Sequence, residues 1–258
     1  MRMAVSTEPF QNPAGDLDGT LTLNSTSSDG SGTTTIADAS NLTLNDGSTL
    51  AIEGNQDVIL GVNTADTTDA SNRLDIANDV AGSSATVDAS NFSGDLTANL
   101  LRAADGTSNA QTVQLGSGDD TIGVTSAAAG TDDTFNFVFS GSDIGDDRIE
   151  AANTTNNPGF DSATGGTTDV DGFVDDELTF DQISGTPGNF TNISGDTNGD
   201  TGTITDGNGN DVLSLELVNG GNDTLIEAGA DASFSGSVTL VGVGDLGALD
   251  AANFNFTG

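Results

Sequence analysis

Short runs in which apolar and polar residues alternate recur along the chain, separated by stretches rich in Thr, Ser, Asn, Asp and Gly. Helix formers other than Ala are scarce. Alternation with a period of two places successive side chains on opposite faces of a strand, so the pattern predicts an all-β protein. The expected strands are Thr20–Asn24, Asn41–Leu44, Thr49–Glu53, Asp57–Val62, Leu96–Leu101, Gln111–Leu115, Thr121–Thr125 and Thr134–Phe139. Further along come Glu177–Asp181, Val212–Val218, Asp223–Glu227 and Ser237–Val243. Turn dipeptides such as Asp18-Gly19, Asp46-Gly47, Asn198-Gly199 and Asn208-Gly209 stand between them. Many short strands with such turns suit a β-solenoid of the parallel β-helix or β-roll kind, or a β-sandwich.

The apolar residues divide the chain unevenly. Of twelve phenylalanines, only Phe10 and Phe92 precede residue 130. Residues 16–128 must therefore fill a thin core with Leu, Val, Ile and Ala, as stacked coils allow because each buries its neighbour. Residues 129–258 can fill a thicker core, in a Phe-richer solenoid or a sandwich. The Ala127-Ala128-Ala129-Gly130 stretch is the expected junction, although two halves of one continuous solenoid would share this pattern. Residues 1–15 carry Pro9 and Pro13 with an isolated Phe10 and read either as a flexible arm, able to add to an exposed edge of another subunit, or as a disordered terminus. Asp-Ala-Ser-Asn recurs at Asp38–Asn41, Asp69–Asn72 and Asp88–Asn91, with Asp-Ala-Ala-Asn at Asp250–Asn253. Its irregular spacing is not that of a strict repeat.

Charge changes the picture most. Forty acidic residues face four arginines, with no lysine, histidine, cysteine, tryptophan or tyrosine, for a net charge of −36. Spread over the roughly 10,000 Å² of a folded chain this size, the acids would stand about 16 Å apart, beyond the Debye length of about 8 Å. Clustering therefore decides what the charge is for. Asp169, Asp171, Asp175, Asp176 and Glu177 crowd one short segment, and like charges about 4 Å apart repel by about 4 kcal/mol at an effective dielectric of about 20. So few arginines leave the relief to a bound cation. The acids are also 34 Asp to 6 Glu, and Asp is the acid of turns and short-reach oxygen ligation. Adaptation to high salt is the bland alternative.

The same inventory removes whole function classes. Without cysteine there is no disulfide or thiolate metal site. Without lysine, histidine or cysteine there is no common base or activator for a serine nucleophile. The acidic surface argues against nucleic acid and anionic membranes as partners. No stretch approaches the roughly 20 apolar residues of a membrane span, and Met1–Ser6 does not open a secretory signal. Asp119, Asp120, Asp132, Asp133, Asp146, Asp147 and Arg148 could form a polysaccharide-cleaving site of the two-carboxylate kind, but aromatic platforms of Trp or Tyr are missing. The chain reads as a non-enzyme.

Two segments carry a glycine-and-aspartate pattern with a physical logic for calcium. They are Gly116-Ser117-Gly118-Asp119-Asp120-Thr121-Ile122 and Gly207-Asn208-Gly209-Asn210-Asp211-Val212-Leu213. Glycines turn the chain, the aspartate offers carboxylate oxygen, and the apolar residue points to the core. Weaker copies end at Asp147-Arg148-Ile149 and at Asp223-Thr224-Leu225. On these motifs the region of roughly residues 85–258 resembles the RTX family of calcium-binding proteins exported by type I secretion, particularly its S-layer and surface-protein members. The resemblance implies calcium at Asp119, Asp120, Asp147, Asp211 and Asp223. It also implies a C-terminal export signal in the segment from Ser237 through Leu249 to Phe256. In the family the nonapeptides stand in tandem, whereas here the copies are scattered.

Two further loops are calcium candidates on their own physics. Asp196, Asn198 and Asp200 sit at alternate positions as in an EF-hand-type loop, without its glycine at the sixth position or glutamate at the twelfth. Asp169, Asp171, Asp175, Asp176 and Glu177 offer a denser set. The alternative for both is a solvated turn. Together these features predict a secreted, calcium-dependent structural subunit that self-assembles into an S-layer or surface filament, with itself as main partner and a cell-surface polysaccharide as another. A calcium-dependent adhesin or carbohydrate-binding module is the alternative.

Overall fold

The computed structural model describes residues 16–17, 19–28, 31–36, 43–44, 47–60, 74–76, 85–102, 110–126, 134–151, 177–191, 201–246, 249 and 253–258. Twenty strands run through them. The first eight are β1 (Asp16–Leu17), β2 (Thr20–Ser25), β3 (Thr33–Ile36), β4 (Thr43–Leu44), β5 (Thr49–Gly54), β6 (Asp57–Leu60), β7 (Leu74–Ile76) and β8 (Thr86–Asp88). Then come β9 (Leu96–Arg102), β10 (Ala110–Leu115), β11 (Thr121–Ser126), β12 (Thr134–Phe139), β13 (Asp143–Ala151) and β14 (Glu177–Phe180). The last six are β15 (Pro187–Thr191), β16 (Thr201–Asp206), β17 (Asp211–Val218), β18 (Asp223–Ala228), β19 (Ser235–Val241) and β20 (Phe254–Phe256). The protein is nearly all β, as the alternation predicts.

The strands form two sheets. The smaller has the order β2-β5-β8-β10-β12-β14-β20, and every neighbouring pair is parallel. The larger runs β1-β4-β7-β9-β11-β13-β19 in parallel, with β3 and β6 joining at β9, then turns antiparallel through β18, β17, β16 and β15. From β8 to β14 the chain alternates strictly between the sheets. Each circuit lays a strand parallel to the previous strand of the same sheet.

Register keeps like residues in columns. On the inner face of the smaller sheet, Leu21, Leu50, Val87, Val113, Phe137, Leu178 and Phe254 line up across all seven strands. Leu115, Phe139, Phe180 and Phe256 form a second column, with Phe139 and Phe180 stacked at a centroid distance of 5.0 Å. Facing them from the larger sheet are the buried Val58, Leu96, Ile122, Ile149, Val238 and Leu240. The core thickens with phenylalanine where the composition changes, yet neither sheet breaks at the expected junction: β10 pairs with β12 and β11 with β13.

Candidate metal centre in the stacked aspartate turns

The turns leading from the smaller sheet into β6, β9, β11 and β13 stack on one another, and the turn from β18 into β19 continues the stack. Register aligns Asp57, Asp95, Asp119, Asp146 and Ser237 in an outward column. Each carboxylate reaches one coil forward. Asp57 Oδ1 accepts the Asp95 amide at 3.3 Å, Asp95 Oδ1 that of Asp119 at 3.0 Å, and Asp119 Oδ1 that of Asp146 at 3.0 Å. The row ends where the Ser237 hydroxyl donates to Asp146 Oδ1 at 2.9 Å. A glycine precedes most members because the coils close tightly there: a Cβ on Gly118 would overlap the Gly94 carbonyl oxygen, and one on Gly145 would overlap that of Gly118.

One residue further along, the column points inward. It holds Val58, Leu96, Asp120, Asp147 and Val238, so two aspartates occupy positions that valine and leucine fill in the neighbouring coils. Both are 1% exposed. These carboxylates reach backward instead of forward. Asp120 Oδ1 accepts the Leu96 amide at 2.8 Å and its Oδ2 the Gly116 amide at 3.4 Å. Asp147 Oδ1 accepts the Asp120 amide at 3.0 Å, while Asp147 Oδ2 is buried with no hydrogen-bond partner.

That orphaned oxygen sets the chemistry of the site. Burying an ionised carboxylate is costly unless a partner compensates. Burial pushes the Asp120 carboxyl up to about 7 against the pull of its two amide donors, and the charges of Asp95 and Asp119 add to the rise. Burial, then the adjacent Asp120 charge, pushes Asp147 up to about 9. Near neutrality the pair therefore holds protons or a cation. Among the described residues no group of three or more acidic side chains is placed to hold a metal ion, so a cation here would take two carboxylates and complete its shell with backbone carbonyls and water. Calcium, with six to eight oxygen ligands and loose geometry, tolerates such a mixture.

The structure brings together only part of the residues singled out from sequence. Asp119, Asp120 and Asp147 meet in these turns, joined by Asp95 and Asp57, which motif matching passes over because a lone Gly94 precedes Asp95 and Gln56 precedes Asp57. Asp211 and Asp223 lie elsewhere, at the starts of antiparallel strands. The Gly207–Asp211 segment forms the β16–β17 hairpin turn, closed by Asp206. Asp206 Oδ1 accepts the Asn208 and Asn210 amides at 2.8 and 2.9 Å and its Oδ2 accepts both asparagine side-chain amides. Those bonds, Asn210's foremost, hold its carboxyl down to about 2. Asp223 accepts the Gly242 amide on Oδ1 and the Asn219 side chain on Oδ2. Protein donors thus already engage both of its oxygens. Glu177 opens β14 and accepts from Thr179 and Asn255. Asp169, Asp171, Asp175, Asp176, Asp196, Asn198 and Asp200 lie outside the described residues. Of the recurring Asp-to-Asn turns, the one at Asp88 is described, its Oδ1 accepting the Ser90 amide and hydroxyl.

No protein family, curated protein or solved structure matches the chain.

Proposed function

We propose that this chain is a secreted structural subunit of the RTX kind, a two-sheet β-solenoid whose coils are braced by calcium and which self-assembles into a surface layer or filament. The observation that carries the reading is the buried pair Asp120 and Asp147 with its unpartnered Asp147 Oδ2. Asp120 and Asp147 would hold the ion, which would neutralise both carboxylates and tie adjacent coils together. An inward hydrophobic position is costly to give to an acid twice in succession unless the acids do something valine cannot. The reading gains from what else the molecule offers: parallel strands stacked in two sheets, a residue inventory without common nucleophile activators, and a charge of −36 that opposes assembly of many copies until cations screen or bridge it.

The experiment is calcium titration of the metal-stripped protein, followed by calorimetry and by negative-stain microscopy. Binding with ordered sheets or fibres supports the whole reading. Binding by dispersed particles supports the site but favours an adhesin, and no binding sinks both. Export is tested separately, by fusing residues 237–258 to a passenger in cells carrying a type I exporter. Deleting that segment is uninformative, because it supplies most of β19, whose Val238 and Leu240 are fully buried, and all of β20.

A further inference from the structure

The two ends of the parallel stack differ. At the β20 end the larger sheet runs on into β18, β17, β16 and β15, and β15 returns beside β20. Phe254 and Phe256 are buried there. At the other end the smaller sheet stops at β2, whose outer edge meets no strand among the described residues. Its core-facing Leu21 is only half-buried.

This edge has a definite hydrogen-bonding phase. The Gly19 and Ser25 carbonyls accept from Thr49 and Asn55 on the β5 side. Since backbone groups alternate sides along a strand, Leu21 and Leu23 also face β5, and Thr20, Thr22 and Asn24 present amide and carbonyl outward. Soluble proteins blunt such edges with charge, proline or a bulge. The Thr20-Leu21-Thr22-Leu23-Asn24-Ser25 strand has no charge or proline, in a chain of net charge −36, and its pairing with β5 runs without a register shift.

We propose that this edge is covered by the same edge of a second copy, in a two-fold dimer centred on Thr22. The strand is self-complementary in that arrangement. Antiparallel pairing about Thr22 sets Thr22 against Thr22 and Thr20 against Asn24, so all outward backbone groups find partners. Leu21 then lies against the second copy's Leu23 on the core side, and threonines meet on the outer side, a favourable cross-strand pair. A two-fold axis normal to the sheet also lays the larger sheets of both copies edge to edge. An interface of this kind is closed and isologous. It uses strand pairing between uncharged residues, so it does not depend on the calcium reading.

The chain has no native cysteine, which makes crosslinking clean. Residues directly opposed in a hydrogen-bonded antiparallel pair stand about 5.5 Å apart at Cα, within disulfide reach. In full-length protein, Thr22→Cys should form a disulfide dimer under mild oxidation, in chelator as in calcium. Asn24→Cys alone should form at least tenfold less, and Thr20→Cys with Asn24→Cys should restore it. Thr22→Asp, which sets like charges against each other, should raise the dimer dissociation constant at least tenfold in sedimentation. Because residue 22 points outward, its melting temperature as a monomer should fall only by the modest loss of strand propensity. A full-length protein that sediments as a monomer at every concentration overturns the proposal, and a dimer appearing only after removal of residues 1–15 does so by showing that the chain covers its own edge. Equal crosslinking by Thr22→Cys and Asn24→Cys overturns it too.

Discussion

Asp147 Oδ1 accepts the amide of Asp120 at 3.0 Å across adjacent coils, and the two carboxylates share one buried column. Because both side chains stand where the coils on either side place Leu96 and Val238, the pair is the most polar point of an otherwise apolar wall. Its ionisation therefore governs how much the fold costs to keep.

Both carboxyls sit above their ordinary value of 3.8, at about 7 and about 9, because burial disfavours the charged form. A folded state with raised carboxyl values binds protons that the unfolded chain has released. The pair's contribution to stability is thus complete below about pH 4 and is lost as the pH rises through about 7 and then about 9. Metal-free protein should melt lower at pH 8 than at pH 5. Net self-repulsion acts in the same direction, so the measurement is the difference between wild type and Asp147→Asn, whose slope should be shallower.

Asp147→Asn should separate folding from cation binding. The amide retains an oxygen for the Asp120 N–H but carries no charge, so in chelator at pH 8 this variant should melt higher than wild type. Saturating calcium at a hundred times the dissociation constant adds about 2.7 kcal/mol per site. That gain should vanish in the variant, while Val58→Ile in the same column should leave it intact. An unchanged calcium gain in Asp147→Asn would place the ion elsewhere.

Gly118→Ala should destabilise the protein by about 2–3 kcal/mol through overpacking, since its Cβ would overlap the Gly94 carbonyl oxygen. Gly209→Ala meets no atom within 4 Å and pays only for its positive φ of 89°, a cost of about 1 kcal/mol. Urea midpoints of the two variants, compared in chelator, test the order. If Gly209→Ala is the worse of the two, close stacking of the turns is not what selects glycine at position 118.

The sequence motif at Gly207–Asp211 and the one at Gly116–Ile122 read alike but sit in different structures, and they should respond differently to calcium. Asp206 already fills the hairpin with four bonds from Asn208 and Asn210. Amide resonances of Asn208 and Asn210 should therefore stay in place during a calcium titration that shifts those of Asp120 and Leu96. Asp206→Ala should speed hydrogen exchange at both asparagine amides without altering calcium affinity.

Alternation alone located all twelve expected strands, because half-buried sheets impose a period of two wherever one face meets the core. It missed β3, β15 and β16, and also β13, where Asp143, Asp146 and Asp147 interrupt the pattern of Ile144 and Ile149. The aspartates there belong to a turn stack that no local window contains. Strands of three residues such as β8 and β20 are too short to show a period, and become strands because neighbours on both sides or one side fix their register. Asp120 and Asp147 were legible as motif members, but not their partnership, since pairing across coils depends on register set by β11 and β13. The hairpin at Asp206 was legible only as a glycine-asparagine turn. What distinguishes it from a coil turn is the antiparallel return of β17, a property of topology and not of composition.

The outward row of Asp57, Asp95, Asp119 and Asp146 also behaves as a line charge. Neighbouring strands repeat at about 4.8 Å, and two unit charges at that distance in bulk water repel by about 0.9 kcal/mol, more than thermal energy. At this linear density the four carboxylates attract counterions, a short segment of the effect seen along the phosphate backbone of a nucleic acid. Divalent ions binding there would release sodium, and the entropy of that release would favour their uptake without any fitted cage. Their uptake should weaken on a logarithmic scale of added salt, with the slope counting the ions displaced, whereas a buried site screened from solvent would keep its affinity.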